Sequence, residues 1–139
     1  MSIRPNEEQF AELAAADDSG PVVMLNLLKF KARAGGPGNE DDASGAAEYR
    51  RYGNTAVEMI EERGGKVIWA GHADQILIGE PAQDWDQVVL VQYPSRAAFL
   101  DMVSQPTYLK AHEHRESGLE RTIVVACTPA PTPGRVEQP

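Results

Sequence analysis

The chain has 139 residues, with 13 Lys and Arg against 21 Asp and Glu, a formal net charge of −8. That length makes one domain with room for a real core. The acidic balance argues against nucleic acid, whose phosphates need a basic face, and against anionic membrane surfaces.

The N-terminal residues, Met-Ser-Ile-Arg-Pro-Asn-Glu-Glu, lack the apolar core of a signal peptide, and no run approaches the length of a membrane-spanning helix. The expectation is a cytoplasmic protein. Cys127 is the single cysteine, so no intrachain disulfide can form. Its place at the end of an apolar run reads as buried and inert.

Residues 5–16 read as a short helix, an addition at the N-terminus. Asn6 can cap it, with Gln9 completing a capping box. Pro21-Val-Val-Met-Leu-Asn-Leu-Leu-Lys-Phe30 is the most apolar stretch and reads as a central strand. Its side chains divide by parity: Val22, Met24, Asn26, Leu28 and Phe30 on one face, Val23, Leu25, Leu27 and Lys29 on the other. Asn26 is therefore either hydrogen-bonded in the core or turned toward a cavity. Lys29 can run its stem over apolar surface to water.

Residues 31–45 are a long loop of glycine, proline and charge. Residues 46–63 form the clearest helix, with Tyr49 and Tyr52 on its buried stripe and Gly64-Gly65 stopping it. Val67–His72 is strand-like, and so is Gln75–Gly79, with a bulge or turn at Ala73-Asp74. After a turn at 80–84, Trp85–Tyr93 returns as the antiparallel partner. Ser95 caps another helix, Pro106 restarts helical structure, and Ser117-Gly118 ends it. Arg121–Thr128 is the last strand. Residues 129–139 form a proline-rich tail, expected to be disordered, so the domain is 1–128.

After the extra helix the order is β-α-β-β-α-β, the ferredoxin-like α+β arrangement of an antiparallel sheet with its helices on one face. The strands are apolar on both parities, so the other sheet face would stand bare. Such a face needs cover, and two sheets packed face to face would supply it. The pattern therefore predicts a homodimer.

The run 23–30, Gly64-Gly65, Trp85-Asp86, Tyr93-Pro-Ser-Arg96, Phe99-Leu, Pro106-Thr-Tyr108, His114-Arg115 and Gly118-Leu-Glu120 together resemble the family called domain of unknown function 1330, over about residues 20–127. The resemblance implies the dimeric α+β barrel superfamily, in which two ferredoxin-like sheets close into a barrel. It implies no substrate. Relatives in the wider superfamily include cofactor-free monooxygenases, haem-degrading enzymes and lactone isomerases, which hold ligands between sheet and helices or inside the barrel.

Several polar residues interrupt apolar elements. Asn26 and Tyr52 could orient or polarise a small ligand, and His72, two residues from Asp74, could move a proton. Trp69 could form an aromatic wall, or pack in the core or a dimer interface. His114 and Arg115 could clamp an anion near a helix end, or serve only as a helix cap. His112 and His114 point to nearly opposite sides of a helix, so they do not make a metal pair. No metal ligand set, GxGxxG, phosphate loop or GxSxG elbow is present, and no cofactor is expected. Two readings stand: a small-molecule-binding protein, a cofactor-independent oxygenase or isomerase among the options, for an aromatic or carbonyl-bearing compound; or a non-catalytic dimeric binding or stress-related module.

Overall fold

A computed structural model describes residues 4–17, 20–33 and 44–130. The long loop's residues 34–43 and the tail's residues 131–139 lie outside the described residues. The elements are α1 (Glu7–Ala15), β1 (Val22–Phe30), α2 (Gly45–Glu62), β2 (Lys66–His72), β3 (Gln87–Tyr93), α3 (Arg96–Val103), α4 (Pro106–Gly118) and β4 (Leu119–Cys127). The four strands lie in the order β2-β3-β1-β4, all antiparallel. This is the ferredoxin-like order, with α1 as an addition.

Local chemistry sets the boundaries. Asn6 and Gln9 form the expected capping box on α1. Ser44 caps α2 through Ala47 N–H, and Ser95 caps α3 through Ala98 N–H. Gly64, at φ +79°, ends α2. Its N–H donates to Glu61 and that of Gly65 to Ile60, the paired bonds of a left-handed helix stop. Pro106 opens α4 at a position that needs no N–H.

Register divides the sheet into rows. Trp69, Leu90, Leu25 and Val125 stand side by side across all four strands on one face. Ala70, Val89, Asn26 and Val124 make a row on the opposite face. The helices cover this second face. The core there is built from Val22, Met24, Ala56, Met59, Ile60, Val91, Tyr93, Met102 and Tyr108, with Leu13 of α1 and Phe99 packed against it. Among the described residues no element covers the first face: Trp69 is 53% exposed, Ile123 42% and Val125 45%.

Four expectations change. Gln75–Gly79 is not a strand; β2 stops at His72, and Leu77 and Ile78 are exposed. Apolar content alone does not make a strand without a partner strand in register. Register irregularities fall between Val67 and Trp69 and between Lys29 and Phe30, so no bulge interrupts a strand at Ala73-Asp74, where the chain has already left β2. β3 begins at Gln87, because Trp85-Asp86 are spent on the sheet end: Asp86 N–H donates to Leu28 and its carboxylate accepts from Phe30 N–H. Cys127 is half-buried, not buried, because it pairs with Val23 on the uncovered face.

Candidate functional site

α2 and α4 pack against each other on the helix side of the sheet. Where α2 starts and α4 ends, Gly45 and Gly118 allow backbone contact, and Lys31 bridges them: its N–H donates to Gly118 and its carbonyl accepts from Gly45. This close crossing brings polar residues of the two helices into one cluster.

Its centre is a pair of phenols. Tyr52 Oη of α2 lies 2.8 Å from Tyr108 Oη of α4. Phe30, Tyr49 and Tyr52 follow in ring contact at 5.6 and 5.4 Å. Arg115, 5% exposed, holds its guanidinium 5.9 Å from the centre of the Tyr52 ring and donates to Thr122 Oγ1 at 3.4 Å. Thr122 in turn donates to the Leu27 carbonyl at 2.8 Å, which ties the cluster to the sheet.

Burial pushes the Tyr49 and Tyr108 phenols up to about 12 and Tyr52 well above the ordinary value of 10, with Arg115 drawing all three back down in part. These phenols are neutral at neutral pH. They can donate hydrogen bonds to a carbonyl or an oxyanion, but they are not bases. His112, one turn beyond Tyr108, sits 5.7 Å from the Tyr108 ring and 6.3 Å from the Tyr52 ring. Burial, and then the charge of Arg115, lower its pKa, so it is neutral at neutral pH.

A carboxylate anchors the far side. Glu48 of α2 is 2% exposed and accepts from Arg51 at 3.1 Å and from Ser117 at 3.3 Å. His114 Nδ1 lies 3.0 Å from the same carboxylate. Of the His114-Arg115 pair, only His114 meets this carboxylate; Arg115 turns instead to Thr122 and the Tyr52 ring. His112 and His114 do point to different sides, each to its own carboxylate, Glu116 and Glu48.

The six residues singled out from sequence separate as follows. Tyr52, His114 and Arg115 share the α2–α4 cluster. Asn26 lies on the helix side of the sheet, its amide donating to the carbonyls of Met24 and Val89. His72 stands in the next row of that face on edge strand β2, exposed, roughly 10 Å from β1 by the spacing of strands. Trp69 is on the opposite face, its ring lying over Gly71.

Tyr108, His112 and Glu48 were not singled out. The spacing Tyr108, His112, Glu116 does carry the signal, since residues four apart stack on one helix face.

Two surface clefts lie elsewhere. One, of about 300 Å3, is lined by Thr55, Glu58, Met59, Glu62, Arg63, Gln105 and Thr107. The other, of about 180 Å3, lies between the loop after β2 and the start of β3, beside Asp74, Asp84, Trp85 and Asp86. Asp84 there is held by Lys29 at 2.9 Å and Arg121 at 2.9 Å. Among the described residues no three His, Cys, Asp or Glu converge as a metal site, and no helix is long and apolar enough to cross a membrane.

The family model described as domain of unknown function, DUF1330, matches residues 41–128. The chain belongs to the DUF1330 family. A protein of unknown function from Rhodopseudomonas palustris is similar over 94% of this chain and 98% of its own, at 38% identity and a TM-score of 0.86. The DUF1330 fold also resembles that of SnoaB, a cofactor-independent oxygenase from Streptomyces nogalater: TM-score 0.53, 15% identity, 84% of this chain and 100% of that one. An Arabidopsis thaliana protein is similar at a TM-score of 0.53 and 17% identity, over 80% of this chain and 97% of its own. At these low identities the likeness shows the fold alone. No curated protein matches the chain. β1, with Asn26, precedes the matched residues yet forms the middle of the sheet beside β3 and β4.

Proposed function

We propose that this DUF1330 protein is a homodimer that binds a small aromatic or carbonyl-bearing compound on the helix side of each sheet. The observation that carries the reading is the Tyr52–Tyr108 hydroxyl pair beside the buried Arg115. Neutral phenols and a fixed cation can hold and polarise a carbonyl or carboxylate. Asn26 supplies a further polar group from the sheet. His72 lies on edge strand β2, two strand spacings from β1, and we assign it no part in the first contact. Trp69 is better suited to the dimer, given its exposure on the uncovered face. The likeness to SnoaB makes cofactor-independent oxygenation the first reaction to assay, by analogy of fold only.

Two supports favour the dimer. The uncovered face joins Trp69, Leu90, Leu25 and Val125 in one unbroken row. Exposed contiguous apolar surface of this kind marks an interaction site. Lys29, Arg121, Asp84 and Asp86 then form a charged rim at one end of that face.

A second reading is favoured by one observation. Among the described residues no buried side-chain nitrogen or oxygen lacks a hydrogen-bond partner. A non-catalytic module would look the same. A panel of aromatic carboxylates, ketones and phenols, followed by ligand-observed NMR, separates the two. Binding lost in Tyr52→Phe/Tyr108→Phe supports the ligand site. No binding by any class, with a dimer intact, favours the module.

A further inference from the structure

Arg4 precedes α1 and reaches across to Glu116 on α4. Its Nε lies 2.5 Å from Oε2 and its Nη2 2.6 Å from Oε1, the two-pronged geometry of an arginine on a carboxylate. Glu116 Oε1 also lies 3.3 Å from His112 Nδ1, one turn earlier on α4. His112 is 17% exposed at its side chain and meets the rings of Tyr52 and Tyr108.

A carboxylate only accepts hydrogen bonds, so the ring nitrogen facing it must be the protonated one. The other nitrogen then keeps its lone pair. We infer that Arg4, Glu116 and His112 form a positioning relay: the N-terminal segment pins Glu116, Glu116 holds His112 in its Nδ1–H tautomer, and Nε2 is the proton acceptor of the tyrosine-lined site. A ligand proton for Nε2 to take rests on the ligand-binding reading above; the tautomer and the pinning do not.

The step balances simply. An acidic C–H or O–H bond of the ligand breaks, its electron pair stays on the ligand, and an N–H bond forms at Nε2. The imidazolium is stabilised by Glu116, and the anion on the ligand by Arg115 and the Tyr52 and Tyr108 hydroxyls. In the resting protein burial, then Arg115, opposes protonation of His112; Glu116 favours it, and the charge of Arg4 opposes it. Arg4 lies outside the residues matched by the family model, so the relay is set by the N-terminal segment of this chain.

The test is long-range 1H–15N NMR of the histidine rings in the full chain without ligand, with His112 assigned through His112→Gln. In wild type His112 is neutral at pH 7 and protonated on Nδ1. Arg4→Ala unpins Glu116, so the Nδ1–H form loses population to the Nε2–H form, and loss of the Arg4 charge raises the titration midpoint. Glu116→Ala returns the ring to a mixture rich in the Nε2–H form. An Nε2-protonated His112 in wild type, or a tautomer balance unchanged in Arg4→Ala, overturns the relay. Arg4 is exposed, so its variant keeps the fold. If the NMR results hold while no compound binds, the ligand reading fails and the pinning stands; if Tyr52→Phe/Tyr108→Phe abolishes binding while the NMR results fail, the relay alone is wrong.

Discussion

Gly45 and Gly118 meet backbone to backbone where α2 begins and α4 ends. A Cβ on Gly45 would run into the Gly118 carbonyl oxygen, and one on Gly118 would lie 2.6 Å from that of Gly45, both well inside van der Waals contact. The contact sets how closely the two helices approach, and therefore whether Tyr52 can reach Tyr108 and Glu48 can reach His114. Gly118→Ala is expected to cost about 1–3 kcal/mol, the usual range for forced overpacking. Urea unfolding measures it, and a loss within experimental error would mean that the helices can part without consequence.

The Glu48 carboxylate is the hub of the far side of the cluster. Glu48→Ala leaves the Ser117 hydroxyl, Arg51 and His114 without it. Because His114 and Arg51 are both more than a third exposed at their side chains, water replaces part of what is lost. The expected cost is about 1–3 kcal/mol, with the fold retained. Thermal unfolding of Glu48→Ala beside Glu48→Gln checks it, and the Gln variant should keep part of the stability.

All four tyrosines of the chain, Tyr49, Tyr52, Tyr93 and Tyr108, are pushed above the ordinary phenol value of 10, each chiefly by burial. Native protein titrated at 295 nm should show almost no tyrosinate at pH 10, where an exposed tyrosine is half ionised. The unfolded chain releases these protons and the folded chain does not. Stability is therefore fully present below pH 10 and is lost as pH rises toward the folded values. Tyrosinate absorbance near pH 10 with the fold intact would contradict the burial of the cluster.

His112 acts in the opposite window. Its folded pKa is lowered from 6.5, so below that pH the unfolded chain binds a proton that the folded chain does not. Stability should fall as pH drops below 6.5 and level off below the folded pKa. Glu116, lowered by Arg4 and His112 together, stabilises above its ordinary value of 4.5 and loses that contribution as pH falls further. Denaturant midpoints from pH 7.5 to 4.5 in wild type and His112→Gln separate the two. The variant should show the shallower slope above pH 5.

Leu25 stands in the middle of the uncovered row, between Leu90 and Val125. Leu25→Asp should convert a dimer to a monomer while leaving the helix-side core in place. Sedimentation velocity reads the mass, and circular dichroism reads the fold. Trp69 fluorescence should move to longer wavelength in the variant as its ring gains water. A dimer that survives Leu25→Asp would place the interface on another surface.

The sequence by itself determined the order of elements, the caps and the uncovered face. Those depend on neighbours a few residues apart: Asn6 with Gln9, Ser95 before α3, Gly64 after α2, and the parity of β1. It misjudged Gln75–Gly79, where the local composition suits a strand but the chain leaves the sheet after His72. The site was legible only in pieces. Tyr52, His114 and Arg115 lie on helix faces that a sequence can mark. That Glu48 would meet His114, or Tyr52 meet Tyr108, depends on how α2 crosses α4, which two glycines 73 positions apart (118 − 45) decide by allowing backbone contact. Tertiary structure likewise put Trp69 and Asn26 on opposite faces through cross-strand register. Pairs so distant in the chain leave no local period to read, because their proximity is settled by packing.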